Sequence, residues 1–432
     1  MASGPLDGVR VLDFTQIIAG PLGCMLLADL GAEVIKVEPV GGEPWRLTAQ
    51  FFPHESKAYQ SLNRGKQSVA MDLYDQRCQE AIRRLIPTCD VVVINYRPDV
   101  AQRLGIDYES VKSLREDVVY VDSTAFGRKG PWAHRPGYDI VVQAASGLMM
   151  VRGGTLDERG NPLLTGQGAP ADYTTGYAIA WGVSAALFSR ERTGKGQNVE
   201  TSLLVNALVL QGGTFMANPA ADAETRGSFL AELAAARESQ EPFPEFVERR
   251  KQVTPYIAGS GVYYRGYLTK DGALAIGCLS PSVRQRMRDA VGFEDPAESP
   301  SGIPSRVVNQ ELVAHVEGLL KQKTTAEWMA VFDAHGLPAS PVRYVDELAD
   351  DPQVIENGYV VELQHEMTGP QRMAGPPLQM SGTPTAPQGA APPLGRDTMK
   401  WLTTVGYSQA EVEAMAGDGA VYLGLAEAAG SA

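Results

Sequence analysis

Asp172 stands in the run Pro170-Ala171-Asp172-Tyr173-Thr174-Thr175-Gly176, at the start of a helical stretch through Ile179, Val183, Ala186 and Leu187. An aspartate at a helix start suits an N-cap, because its oxygens can accept from the first backbone amides, which have no partner inside the helix. The same position suits a nucleophile. A carboxylate with an ordinary pKa of about 3.9 is ionised at neutral pH without a base. Helix-start N–H groups could then stabilise an oxyanion formed by its attack on a carbonyl. The residues by themselves leave both readings open.

Other chemistries find less support. The histidines His54, His134, His315, His335 and His365 share no metal-ligand spacing, and there is no H-E-x-x-H, so no metal is expected. There is no G-x-S-x-G elbow and no phosphate-binding Walker sequence. The turn Gln16-Ile17-Ile18-Ala19-Gly20-Pro21-Leu22-Gly23 lacks G-x-G-x-x-G, which sets aside the usual nicotinamide fingerprint. Cys24, Cys78, Cys89 and Cys278 have no C-x-x-C spacing and are expected to be reduced, in a cytoplasmic chain. Residues 1–30 do not read as a secretory signal, and no apolar run is long enough to span a membrane. The 51 acidic and 38 basic residues give a net charge of −13, which disfavours nucleic acid and anionic membranes as partners. Residues 1–140 carry 18 acidic and 16 basic side chains, so an anionic small ligand meets least repulsion there.

The elements that must position these residues read as an alternation. Residues 9–14 form a strand by β-branched content, Pro21 suits the first turn of a helix, and Gly31 stops it before a strand at 34–38. Helices at 79–85 and 111–114 alternate with strands at 90–95 and 118–121, and a strand at 198–203 follows the helix after Asp172. This predicts a doubly wound, Rossmann-like α/β domain. Near residue 217 the character changes, and a hairpin signal spans 262–278 around Lys270-Asp271-Gly272. Thr324 and Glu327 read as a capping box. The expected division is 1–216 as the first part of a large domain, 217–335 as a smaller inserted α+β domain, and 336–432 as a return segment with a C-terminal helix.

Taken together, several motifs resemble the class III CoA-transferases, the family of formyl-CoA:oxalate and carnitine CoA-transferases. They are Leu6-Asp7-Gly8-Val9-Arg10-Val11-Leu12-Asp13, Gly31-Ala32-Glu33-Val34-Ile35-Lys36-Val37-Glu38, Leu62-Asn63-Arg64-Gly65-Lys66-Gln67-Ser68, Gly137-Tyr138-Asp139, the Asp172 run, and Thr193-Gly194-Lys195-Gly196-Gln197. The resemblance covers nearly the whole chain. It implies that Asp172 attacks an acyl-CoA thioester and that CoA passes to a small carboxylic acid through aspartyl anhydride and aspartyl-CoA intermediates. No permanently bound cofactor is implied; the coenzyme A thioester is a substrate. It also implies an interlocked homodimer.

Carried over by position, the resemblance places CoA contacts at Ile17 and Ile18, at Ala70, Met71 and Asp72, and at Asn95, Tyr96, Arg103 and Leu104, with Tyr138 beside the active centre. The family often has a basic residue after the glutamate of its second strand, where this chain has Pro39, and another two residues before the tyrosine, where it has Pro136. Arg46, Arg64, Lys66, Arg97 and Arg135 are the candidates to supply the missing phosphate contacts, since guanidinium and ammonium groups suit phosphate. Gly259, Ser260 and Gly261 are the candidate for a glycine-rich loop over the acyl site, against a plain turn. A racemase of the same superfamily is the nearest alternative, but it places histidine where this chain has Tyr138, and tyrosine is a poor base at neutral pH. A non-catalytic acyl-CoA-binding protein is the alternative of another class.

Overall fold

The first strand–helix–strand passage forms where the residue pattern puts it. Strand β1 (Arg10–Asp13), helix α1 (Ala19–Asp29) and strand β2 (Glu33–Glu38) follow in turn, and β1 pairs in parallel with β2 from Arg10↔Glu33 to Asp13↔Lys36. Gly31 sits between helix and strand at φ 102°, a conformation side-chain-bearing residues resist. The computed structural model describes residues 4–166, 168–222, 226–253, 261–296 and 309–424. The chain divides into two compact units, one from Met1–Leu148, Gly166–Ala217 and Ala349–Ala432, the other from Met149–Thr165 and Asn218–Leu348.

In the first unit, β1 and β2 are joined by β3 (Lys66–Met71), β4 (Val91–Ile94), β5 (Val119–Thr124) and β6 (Gln197–Ser202). Their spatial order is β3-β2-β1-β4-β5-β6, all parallel. The order reverses between β1 and β4, which makes the carboxyl ends of those two strands the place where such sheets take ligands. The short C-terminal strand Val421–Tyr422 pairs antiparallel with the end of β3 and covers that edge.

Alternation along the strands feeds two apolar layers. Val11, Val34, Val91, Val93, Val119 and Val121 join one core with α1 and helix Pro170–Thr193. Leu12, Ile35, Val92, Ile94 and Tyr120 join the other, with the helices that contribute Ile82, Leu104, Trp401 and Met415. Successive side chains point to opposite faces of a strand, so one valine-rich run serves both layers. The Pro170–Thr193 helix, α3 below, follows α2 (Asp139–Ser146) and precedes α4 (Leu203–Gln211).

The second unit holds an antiparallel sheet in which Tyr264–Leu268 pairs with Ala273–Gly277, and that strand with Ala339–Pro341. Helices Pro281–Val291, Gln310–Leu320 and Thr325–Ala334 pack a core of Leu274, Met287, Val316, Trp328 and Phe332. The hairpin falls on the expected residues, and the Thr324–Glu327 capping box forms.

Candidate active site

Asp172 lies in the first turn of α3, whose N-cap is Ala169 and which offers no capping side chain of its own. Of the two readings left open by the residues, that of an N-cap is not met, since Asp172 lies inside the first turn. Asp139, in the first turn of α2, does that work: its Oδ1 accepts from Ala171 N–H at 2.8 Å and Asp172 N–H at 3.2 Å. Gln143 Nε2, one turn along α2, donates to the other oxygen. Asp139 thus ties the starts of two helices together and faces Asp172 with a second carboxylate.

The Asp172 side chain is buried, with 8% of its surface exposed. Burial, then the neighbouring Asp139 charge, pushes its pKa up to about 7, while the backbone amide of Ala19 pulls weakly the other way. The expectation of an ordinary, fully ionised carboxylate at neutral pH is corrected accordingly. Ala19 opens α1, which packs closely against α3. Two glycines permit that approach. A Cβ on Gly23 would lie 2.7 Å from Ile179 Cγ2, and one on Gly176 would lie 2.8 Å from Leu22 Cδ2.

The turn between β1 and α1 is held at consecutive residues. Asp13 Oδ1 accepts from Thr15 N–H and Oγ1, and Lys36 Nζ donates to Thr15 O at 2.7 Å. Asn95 clamps Gln16 from across the strand reversal, accepting from its N–H at 3.0 Å and donating to its carbonyl at 2.8 Å. Gln16 Nε2 reaches Tyr96 Oη at 3.1 Å. Ile17, Ile18, Asn95 and Tyr96 are thus brought together at the switch point.

The other expected contacts scatter. Arg46 and Lys66 are both buried and engaged by protein groups. Arg46 bonds Glu38, Glu55, Tyr59 Oη and the carbonyls of His54 and Pro392. Lys66 donates all three ammonium protons, to Asp13, Asn63 and the Pro21 carbonyl. Arg64 is likewise buried against Asp29 and the Ala374 carbonyl. Ala70, Met71 and Leu104 are buried in the sheet and its core, whereas Asp72 is exposed just beyond β3. Arg97 is half-exposed beside Asp99, Arg103 stands exposed over the Tyr74 ring, and Arg135 is exposed over Trp132. Tyr138, at the N-cap of α2, is 65% exposed in the single chain. Gly261 has φ 53°, while Gly259 and Ser260 lie outside the described residues.

A family model described as CoA-transferase family III matches residues 6–398. The chain belongs to that family. It is 31% identical over 426 residues to succinyl-CoA:glutarate CoA-transferase of Mus musculus, covering 96% of this chain and 90% of that one. It is also 31% identical to formyl-CoA:oxalate CoA-transferase of Rhodopseudomonas palustris, covering 96% and 97%. The crystal structure of Rv3272 from Mycobacterium tuberculosis superposes with a TM-score of 0.71 at 29% identity, covering 92% of this chain and 99% of that one. This family III CoA-transferase has, among the described residues, no cluster of side chains placed to hold a metal and no helix long and apolar enough to cross a membrane. In the sequence, Asp139 stands out only as part of the Gly137-Tyr138-Asp139 motif. Its capping of α3 spans 32 residues of sequence, and local spacing carries no signal for it.

Proposed function

We propose that Asp172 is the covalent nucleophile of this CoA-transferase and that CoA moves between acids through it. Its ionised form attacks the donor thioester carbonyl and expels CoA thiolate, leaving an aspartyl–acyl anhydride. The thiolate then attacks the aspartyl carbonyl, which frees the donor acid and leaves an aspartyl-CoA thioester. The acceptor carboxylate attacks that thioester and releases the thiolate, which takes the new acyl group from the second anhydride. Each step exchanges one acyl bond for another, so no ATP is consumed. The observation that carries this reading is the buried carboxylate in the first turn of α3, faced by Asp139. When thiolate attacks the aspartyl carbonyl, negative charge grows on an Asp172 oxygen, where backbone amides near the helix start would stabilise it.

Succinyl-CoA or another short acyl-CoA is the proposed donor and a small mono- or dicarboxylic acid the proposed acceptor, in line with the names of the relatives. CoA is proposed to lie at the switch point along Ile17, Ile18, Asn95 and Tyr96, with Arg97, Arg103 and Arg135 as the exposed cations for its phosphates. The cytoplasm is the proposed compartment, supported by four free, buried cysteines. A homodimer is proposed from exposed apolar residues at helical spacing: Tyr173, Tyr177, Trp181 and Phe188 on α3, with Val205 and Val209 on α4.

The test is chemical trapping. The protein is incubated with a panel of acyl-CoAs, treated with hydroxylamine or borohydride, and mapped by mass spectrometry. Modification at Asp172, absent in Asp172→Ala, is expected. Full exchange activity in Asp172→Ala would sink the mechanism.

A further inference from the structure

The strand order opens a crevice between β1 and β4, and a side chain closes its base. β1 leads into α1, which packs on one face of the sheet. β4 leads into helix Pro98–Leu104, which packs on the other. Segments that leave neighbouring strands for opposite faces must part. Among the described residues, main-chain pairing between the two ends where Phe14 N–H donates to the Val93 carbonyl at 2.9 Å. Two residues beyond Phe14, the Gln16 peptide faces the Asn95 side chain instead. A side-chain amide carries a carbonyl and an NH2, so it can stand in for a peptide group. Asn95 Oδ1 accepts from Gln16 N–H at 3.0 Å, and Asn95 Nδ2 donates to the Gln16 carbonyl at 2.8 Å. That is the two-bond exchange that facing residues make in an antiparallel ladder. Gln16 Nε2 in turn reaches Tyr96 Oη at 3.1 Å.

Three bonds thus join segments 79 and 80 residues apart in the chain. The Asn95 amide is engaged with the Gln16 peptide, so it serves a ligand in the crevice from beneath. We infer that Asn95 is a positioning residue: its amide bridges the base of the crevice and holds the β1–α1 turn to the segment after β4, so that Ile17, Ile18 and Tyr96 meet CoA as one surface. This inference rests on CoA lying at the switch point, as proposed above. Without the bridge the two segments would have to be ordered when CoA binds, and that ordering would be taken from its affinity.

Two measurements on the full-length protein test this: amide hydrogen exchange at Gln16 without ligand, and the affinity for free coenzyme A by calorimetry. Asn95→Leu keeps the shape of the side chain and loses both bonds. Asn95→Asp keeps the acceptor but sets a charged oxygen against the Gln16 carbonyl, and it stands in if Asn95→Leu does not fold. Circular dichroism identifies the folded variants. In Asn95→Leu, Gln16 exchange is expected to quicken and CoA affinity to fall, each by about tenfold. In Asn95→Asp the affinity is expected to fall likewise. A purely architectural role would lower the melting temperature and leave the CoA affinity of the folded chain alone. Affinity within about twofold of the parent in the folded variants therefore overturns the inference. So does weaker binding in Asn95→Leu with Gln16 exchange unchanged, which would make Asn95 a direct ligand contact. A Gln16 amide that exchanges in the parent as fast as in an unfolded chain overturns it without any variant. Added CoA is expected to slow exchange across residues 15–18 of the parent. If it does not, the proposed CoA site fails and the inference with it, whereas the other outcomes strike the inference alone.

Discussion

Asp172 is a carboxyl whose ionisation the fold resists, and this has consequences for both stability and rate. Its pKa is raised from the ordinary 3.8 to about 7, so the folded chain holds the proton more tightly than the unfolded one. Between those two values the native state binds more protons, and stability falls as pH rises; above about 7 the whole cost is present. Asp172→Asn removes a charge that cannot be solvated. It is expected to stabilise the protein by about 2–4 kcal/mol at pH 8 and much less at pH 4. Denaturant unfolding at the two pH values checks this, and an equal gain at both would show that Asp172 carries no raised pKa. Asp139→Asn separates charge from capping, because the amide oxygen can still accept from Ala171 and Asp172. The rate of CoA exchange should rise with pH through about 7 in the parent. In Asp139→Asn that rise should move down by about one unit, since a like charge beside Asp172 is gone. A rise that stays in place would mean that Asp139 acts only as a cap.

At the scale of elements, buried charge builds the floor beneath the β1–α1 turn. Glu38, Arg46, Glu55 and Tyr59 interlock, with the Arg46 guanidinium 3.6 Å from the Tyr59 ring centre, and Lys66 with Asp13 continues the set. Arg46→Ala leaves two buried carboxylates without their cation, and the expected loss is about 3–5 kcal/mol of stability. Calorimetry should show the lowered melting temperature. The surviving folded enzyme should bind CoA with the parent affinity; a selective loss of CoA affinity at unchanged stability would restore Arg46 to the phosphate site. The same charges explain what sequence could and could not reveal. β1, β2 and β4 were legible because Val9-Arg10-Val11-Leu12 and the Val91–Ile94 run carry β-branched residues between turn signals. β3 was not, because its first half, Lys66-Gln67-Ser68, reads as surface. Lys66 is buried in a strand only because Asp13, 53 residues earlier, neutralises it, and no local pattern encodes that pairing. The hairpin of Val360–His365 and Gly369–Ala374 was missed for the related reason that polar residues interrupt its alternation. At the candidate site, motif and spacing pointed to Asp172, but Asp139, whose carboxylate holds the amides at the start of α3 and faces Asp172, meets it only through contacts distant in sequence.

At the scale of the molecule, α3 is apolar on the face it buries and on the face it shows. Ile179 and Val183 enter the core, while Trp181 is 76% exposed and Tyr173, Tyr177 and Phe188 lie open along the same helix. On α4, Val209 is 71% exposed. A sheet-covering helix ordinarily turns charged residues outward, and an apolar stripe in their place marks a surface that another protein covers. A second copy is the occupant proposed above, in line with the interlocked assembly that the family resemblance implies. Trp181→Glu together with Val209→Glu puts two charges into that stripe without touching the packing of α3 on α1. The expected result is a dimerisation constant weakened on the order of a hundredfold or more, read by light scattering across a concentration series. The charged variant should keep the parent's circular dichroism, because both side chains already face solvent in the single chain. A parent that runs as a monomer at micromolar concentration would remove the dimer altogether, and a doubly charged variant that dimerises as tightly as the parent would place the interface elsewhere. A monomeric variant that still forms the Asp172 adduct would further show that the chemistry built from α1, α2 and α3 belongs to one chain.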